Sequence, residues 1–396
     1  MTVLMPTYGR IDIAFEKGEG PYLFTADGGR YLDFACGIAV NGLGHSHPKL
    51  VAALKEQAER LWHVSNLYQI PEQQRLAERL VAECFADLVF FCNSGAEAVE
   101  CGIKLCRSFH NAAGNPQRHR IVTVEGAFHG RTLATLAAGR QEKHLAGFGP
   151  MVEGFDQVAF GDADAMAAAV GAETAAILVE PVQGESGIKP LPPGYLAKLR
   201  QIADEAGVLL FFDEVQCGLG RTGKLFAHQW EGVSPDVMAL AKALGGGFPI
   251  GACLATEAAA VGMQPGSHGS TFGGNPLAVA VANAVLDVML EEGFFDNVAR
   301  LAGRLRQRLE GVLDAHPDVI EEVRGEGLML GLKVKPTNLD VVTALRQAGL
   351  LTVPAGENVV RLLPPLNIED AQINEAVGII EQVCAELAGS PGKAQD

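Results

Sequence analysis

Apolar residues recur along this chain with two different spacings, and the changes between them divide it. From about residue 75 to 275, short apolar runs dominate: LVFFC (88–92), RIVTVEG (120–126), AAILVEP (175–181), VLLFFDE (208–214) and VMALAK (237–242). They are too short for helices and apolar on both faces, as strands inside a parallel sheet are. Amphipathic stretches such as Ala96 to His110 and Gly194 to Ala206 lie between most of them. The alternation predicts an α/β protein with a mainly parallel sheet. Such sheets take ligands beyond the C-terminal ends of their strands, so the residues just after each run are the ones to weigh.

The flanks read differently. PYLFTADGGRYLDF predicts two short strands around an Asp-Gly-Gly turn, and His47-Pro48 opens a helix, HPKLVAALKEQAERLW. Beyond about residue 290 come a helix (301–316), strand-like segments (319–334), a helix (338–349), strand-like LLTVPA (350–355) and NVVRLLPPLNI (358–368), and a last helix (369–387). This predicts a smaller α+β domain over residues 291–396, a large domain over 51–290, and an N-terminal segment, 1–50, packed with the small one.

Composition narrows the function. The 48% hydrophobic content can fill a core, and 31 basic against 47 acidic residues, a net charge of −16, argue against a nucleic-acid binder or an anionic membrane surface. The most apolar long stretch, Leu277 to Leu290, is broken by Asn283 and Asp287, so no membrane span is expected. The first twenty residues carry no basic segment followed by an apolar run, so no signal peptide is expected. The eight cysteines are scattered without a CxxC, which reads as reduced thiols of a cytoplasmic protein with no metal site.

GLGRTG (218–223) matches a dinucleotide fingerprint and GLGRTGK nearly matches a P-loop. The P-loop fails at Leu225, where a hydroxyl must bind magnesium. The fingerprint fails because DEVQC separates it from its strand and no helical period follows it. What remains is a flexible glycine loop where two backbones approach.

The stronger signal is chemistry at successive strand ends. Lys242 closes VMALAK, and Asp213 closes VLLFFD 29 residues earlier. A lysine or carboxylate ending a buried strand must be paired or used. Together they are the minimum for pyridoxal 5′-phosphate: the lysine forms a Schiff base, and the carboxylate keeps the pyridine nitrogen protonated. A phosphate cradle is then needed. Ser94-Gly95-Ala96, at a strand-to-helix junction, offers helix N-terminal amides. Phe128, after another run, can stack on a ring.

The set NSGAEA, EGAFHGRTLATL, EPVQGESG, FFDEVQCGLGRTG, ALAKALGGGFPIGA and GSTFGGNPLA resembles the class III, or ω-type, pyridoxal-phosphate aminotransferases. CGIAVNGLGHSHP, LWHVSNLYQIPEQQRLAERL and VVRLLPPLNI resemble the acetylornithine-specific branch in particular, with Val99 and Ser186 as small departures. The resemblance implies fold type I, with a large domain built on a seven-stranded-type sheet and a smaller α+β domain. It also implies a homodimer with shared active sites. By motif, Lys242 is the cofactor lysine and proton carrier, and Asp213 pairs the ring nitrogen. Val215 packs on the ring, Gln216 meets its hydroxyl side, and Phe128 stacks on the opposite face. Ser94, Gly95 and Ala96 hold the phosphate with Thr271 of the other subunit, and Glu214 joins the cofactor set. Ser270 lies close to substrate, Arg131 and Arg361 are carboxylate clamps, and Glu185 is a gate expected to pair with Arg361. The implied substrates are acetylornithine and 2-oxoglutarate, the alternative being a related ω-aminotransferase acting on succinylornithine, ornithine or 4-aminobutyrate. Ile38 falls where relatives that use free ornithine carry a Tyr, and an apolar residue suits an acylated nitrogen.

Overall fold

The computed structural model describes residues 3–389, so the extreme ends of the first and last expected domains lie outside the described residues. Three strands open the chain: β1 (Phe15–Glu19), β2 (Tyr22–Thr25) and β3 (Arg30–Asp33). The central region holds β4 (Leu88–Cys92), β5 (Arg120–Val124), β6 (Phe155–Val158), β7 (Thr174–Val179), a short hairpin of β8 (Val182–Gln183) and β9 (Lys189–Pro190), then β10 (Leu209–Asp213), β11 (Val237–Leu240) and β12 (Gly251–Ala255). The C-terminal part adds β13 (Ile320–Glu326), β14 (Met329–Val334), β15 (Leu350–Leu351), β16 (Val353–Ala355) and β17 (Val359–Leu362).

Seven strands make the central sheet in the order β4-β12-β11-β10-β7-β5-β6. Only β12 runs against the rest. The expected α/β architecture is present. Every residue of β7, β10, β11 and β12 is buried, which is why these runs read as uniformly apolar. Because β12 is reversed, its start lies at the edge where the parallel strands end. Segments leaving β4, β5, β7, β10 and β11 therefore meet the segment that leads into β12.

The helix Gly95–Ala112 shows how sequence sets position. Ser94 caps it by accepting from the Glu97 N–H at 3.3 Å, a contact worth about 1 kcal/mol. Its buried stripe includes Ala98, Val99, Cys101 and Leu105. At Gly102 a Cβ would sit 2.3 Å from the Phe211 ring, so only glycine lets the helix lie this close on β10.

Several elements depart from the sequence expectation. LLTVPA divides between two sheets: β15 pairs in parallel with β3 of the N-terminal sheet, whereas β16 joins β17. The helix expected from residue 301 begins at Phe294. Lys242 does not close a strand, since β11 stops at Leu240. It opens a short 3₁₀ turn, Lys242–Leu244, with φ +49°. The Gly218–Gly223 loop is buried rather than flexible. Arg221 is buried and donates to the carbonyls of Leu328 and Pro364. Two backbones do meet there, for a Cβ on Gly327 would lie 2.4 Å from Thr222.

Candidate active site

The strand ends enclose a cavity of about 390 Å³. Ser94, Gly95 and Ala96 line it after β4, and Phe128 and Arg131 after β5. Asp213, Val215 and Gln216 line it at the end of β10, and Lys242 after β11. These residues, from four of the six motifs, thus face one volume. Phe248 to Ile250, leading into β12, close another side.

Asp213 is buried, and both its oxygens are engaged. Oδ1 accepts from the Val215 N–H at 3.0 Å, and Oδ2 lies 2.8 Å from His129 Nδ1. Burial pulls the His129 imidazole down. The hydrogen bond and charge of Asp213 outweigh this and hold it above the ordinary histidine value. Its Nε2 has no hydrogen-bond partner among the described residues. Burial lowers the pKa of the half-buried Lys242, against the opposing charges of Glu185 and Asp213, which favours a neutral, nucleophilic amine.

The cradle is narrow by construction. A Cβ on Gly95 would meet Val215 at 2.6 Å. Gly95 and Ala96 occupy the first helical turn, where amide N–H groups have no intrahelical acceptor. This junction is held from both sides. The Asn93 N–H donates to Glu97 at 2.6 Å, and Asn93 Nδ2 to Ser270 Oγ at 3.2 Å.

Arg361 is buried in the middle of β17, opposite Gly331 of β14 and Val353 of β16. Its Nη1 lies 2.6 Å from Glu185 Oε1 and Nη2 donates to the Pro354 carbonyl at 3.1 Å. Burial raises the Glu185 carboxyl, but the charge and hydrogen bond of Arg361 overcome it and keep it below the ordinary carboxylate value. Arg131 is exposed, with its guanidinium carbon 5.6 Å from the Phe128 ring centroid.

Other expected residues lie elsewhere. Glu214 turns away from the cavity. Its buried carboxylate accepts from the N–H groups of Ala227 at 2.6 Å and His228 at 2.8 Å, so it braces the following loop. A residue adjacent to Asp213 on an extended segment points to the opposite side. Thr271 is exposed in a separate groove with His268 and Phe272, outside this chain's own cavity. His129 and Glu180 were missed, although both follow apolar runs. Weighing every polar residue at the ends of VTVEG and ILV would have found them.

A profile of the family described as Aminotransferase class-III matches residues 4–384. The chain belongs to the class-III aminotransferases. An acetylornithine aminotransferase of Mesorhizobium japonicum is 62% identical over 98% of this chain and 97% of its own length. Among solved structures, an ornithine aminotransferase from Toxoplasma gondii with partial PLP occupancy at its active site superposes with a TM-score of 0.93 at 32% identity, covering 98% of this chain and 93% of its own. An N-acetylornithine aminotransferase from Stenotrophomonas maltophilia superposes at 0.85 and 38%, covering 97% and 98%.

Class-III aminotransferases use pyridoxal 5′-phosphate, and the residues present here fit that group. The glycine cradle leaves room that a Cβ would fill, helix amides suit a dianion, and an amine and a buried carboxylate face the same volume.

Proposed function

We propose that this enzyme transfers the δ-amine of N2-acetyl-L-ornithine to 2-oxoglutarate, forming N-acetyl-L-glutamate 5-semialdehyde and L-glutamate, as a step of L-arginine biosynthesis. The near-full-length likeness to the Mesorhizobium enzyme carries this reading. When bound, pyridoxal phosphate supplies the electron sink for charge at the carbon bearing the transferred amine. Lys242 Nζ holds the cofactor and moves the substrate proton. Asp213 would hold a proton at the ring nitrogen, Phe128 and Val215 would pack against the ring, and Gln216 would hydrogen-bond near its hydroxyl. The first turn after Ser94 binds the phosphate. Ser270 orients substrate.

The two substrates pose a charge problem. Glutamate brings two carboxylates and acetylornithine only one, so two arginines leave one unpaired in the second case. A buried unpaired guanidinium is costly. In our reading Glu185 neutralises Arg361 while acetylornithine places its carboxylate on Arg131. Glu185 then swings aside so that Arg361 takes the α-carboxylate of glutamate and Arg131 the γ-carboxylate. The backbone beneath Glu185 is pinned, since its carbonyl accepts from the Gly356 N–H at 2.8 Å, so the side chain alone need move. Ile38 sits in a turn where Cys36, Gly37, Ile38 and Ala39 all have positive φ, two residues before cavity-lining Val40. An apolar residue there favours the acylated donor.

Half-reactions with acetylornithine, succinylornithine, ornithine, 4-aminobutyrate and glutamate test both points. Acetylornithine should convert fastest among the donors. The superposition on an ornithine aminotransferase makes ornithine the rival donor, and faster conversion of ornithine would overturn the assignment. Glu185→Ala should lower kcat/KM for acetylornithine about tenfold while sparing or improving the glutamate half-reaction. Equal losses in both would leave Glu185 as a scaffold residue.

We further place the enzyme in the cytoplasm as a homodimer. All eight cysteines are free, and seven are buried. Among the described residues, no helix is long and apolar enough to cross a membrane. Asn66 donates to the carbonyls of Ser270 and Gly273, and His63 meets the Phe272 ring at 5.1 Å, so the segment that carries exposed Trp62, Leu67 and Tyr68 is tied to the one that carries exposed Phe272 and Thr271. An exposed apolar face of this kind suits a self-complementary contact, across which Thr271 would reach the partner's phosphate. Mixing Lys242→Ala with a Thr271→Ala variant crippled in cofactor binding should restore part of the activity after subunit exchange. No recovery despite demonstrated exchange would count against sharing.

A further inference from the structure

We infer that Glu180 is a positioning residue of this site: its buried carboxylate fixes the backbone of Phe128, and with it the aromatic wall of the cavity, against the end of the neighbouring strand. The inference rests on the reading of the cavity as the pyridoxal-phosphate site. Glu180 follows directly on β7, and Phe128 lies four residues beyond β5, the strand paired beside it. Glu180 is 5% exposed and lines the cavity. Its Oε1 accepts from the Phe128 N–H at 2.8 Å. Its Oε2 lies 3.5 Å from the N–H of Gly184, the residue before Glu185.

The segment that carries Phe128 needs such an anchor. It has no regular structure and is flanked by Gly126 and Gly130, at φ +82° and +132°. The Phe128 ring meets His144 edge-on at 5.7 Å and Arg131 at 5.6 Å, neither of them buried. Neighbouring backbone is tied to the same strand end, for Gln183 donates to the Glu125 carbonyl at 2.9 Å. A second carboxylate this near Asp213 is expensive. Burial, then the Asp213 charge, push Glu180 up to about 7 against the pull of His129. An apolar residue would avoid that cost but leave the Phe128 N–H without its acceptor.

Glu180→Ala and Glu180→Gln separate positioning from bulk structure, because the glutamine amide oxygen can still accept from Phe128. The readouts are the visible circular dichroism that the bound cofactor acquires in its site, cofactor Kd after removal and titration, kcat, KM and Tm. Glu180→Ala should lose more than about half of the dichroic band, weaken cofactor binding about tenfold, and lower kcat more than it raises KM. Glu180→Gln should stay within about threefold of wild type in each. An alanine variant that loses only Tm, with band and Kd unchanged, overturns the inference, as does a glutamine variant as impaired as alanine. Should the alanine variant not fold, Glu180→Leu replaces it with the same expected losses. A wild-type protein that acquires no visible band overturns the cofactor reading itself, and the inference with it.

Discussion

Lys242→Ala should bind pyridoxal phosphate only noncovalently and lose turnover by about 10⁴-fold or more, since in the proposed mechanism it removes both the cofactor's attachment and the base that moves the proton. The fold should survive. Burial disfavours the charged amine, so its removal relieves a desolvation cost. Alanine at φ +49° meets the same backbone strain that lysine already bears. Borohydride trapping followed by peptide mapping should place the cofactor on Lys242 in the wild type and nowhere in the variant. Label on another lysine would falsify the assignment. Added cofactor should give a spectrum of free aldehyde type, and thermal unfolding should confirm that the lost rate is chemical.

Asp213→Asn is the second large effect, expected to cut kcat by about 10²–10³-fold or more with little change in Tm. The substitution is isosteric, so packing is kept. Oδ1 accepts from Val215 and Oδ2 faces His129 Nδ1, so asparagine can keep both contacts if its oxygen faces Val215 and its amide donates to an unprotonated Nδ1. An amide carries no charge to hold a proton on the pyridine nitrogen. The electron sink weakens although the cofactor is still held. Both half-reactions should slow together, since both use the sink, whereas Glu185→Ala should affect them unequally. Near-normal turnover in Asp213→Asn would refute the role.

How much was legible before the structure depends on the range of the signal. The strand runs and the chemical residues at their ends are local: a buried parallel strand must be apolar on both faces, and the turn after it is where a polar group can surface. Lys242, Asp213 and Ser94-Gly95-Ala96 could be singled out on that ground. The same rule applies to His129 and Glu180, but VEGAFHG and VEP read as ordinary turns until β5 and β7 are seen side by side. Glu214 shows the opposite error. It sits next to Asp213 in sequence, yet the extended chain sends it behind the sheet to Ala227 and His228.

Hydrophobic pattern determined that this is an α/β protein with a mainly parallel sheet, and strand-end chemistry singled out a lysine and a carboxylate that the fold brings to one cavity. Side-chain period and burial act over a few residues, so they are written in the text of the chain. Tertiary structure alone decided the reversal of β12 and the division of Leu350–Ala355 between two sheets, and it is what brings Glu185 to Arg361 across 176 positions, a pairing that the family resemblance implied and no local pattern did. Each depends on closing a long loop onto one partner among many, and the energy that selects it comes from packing and charge neutralisation in the finished core, which no local pattern encodes.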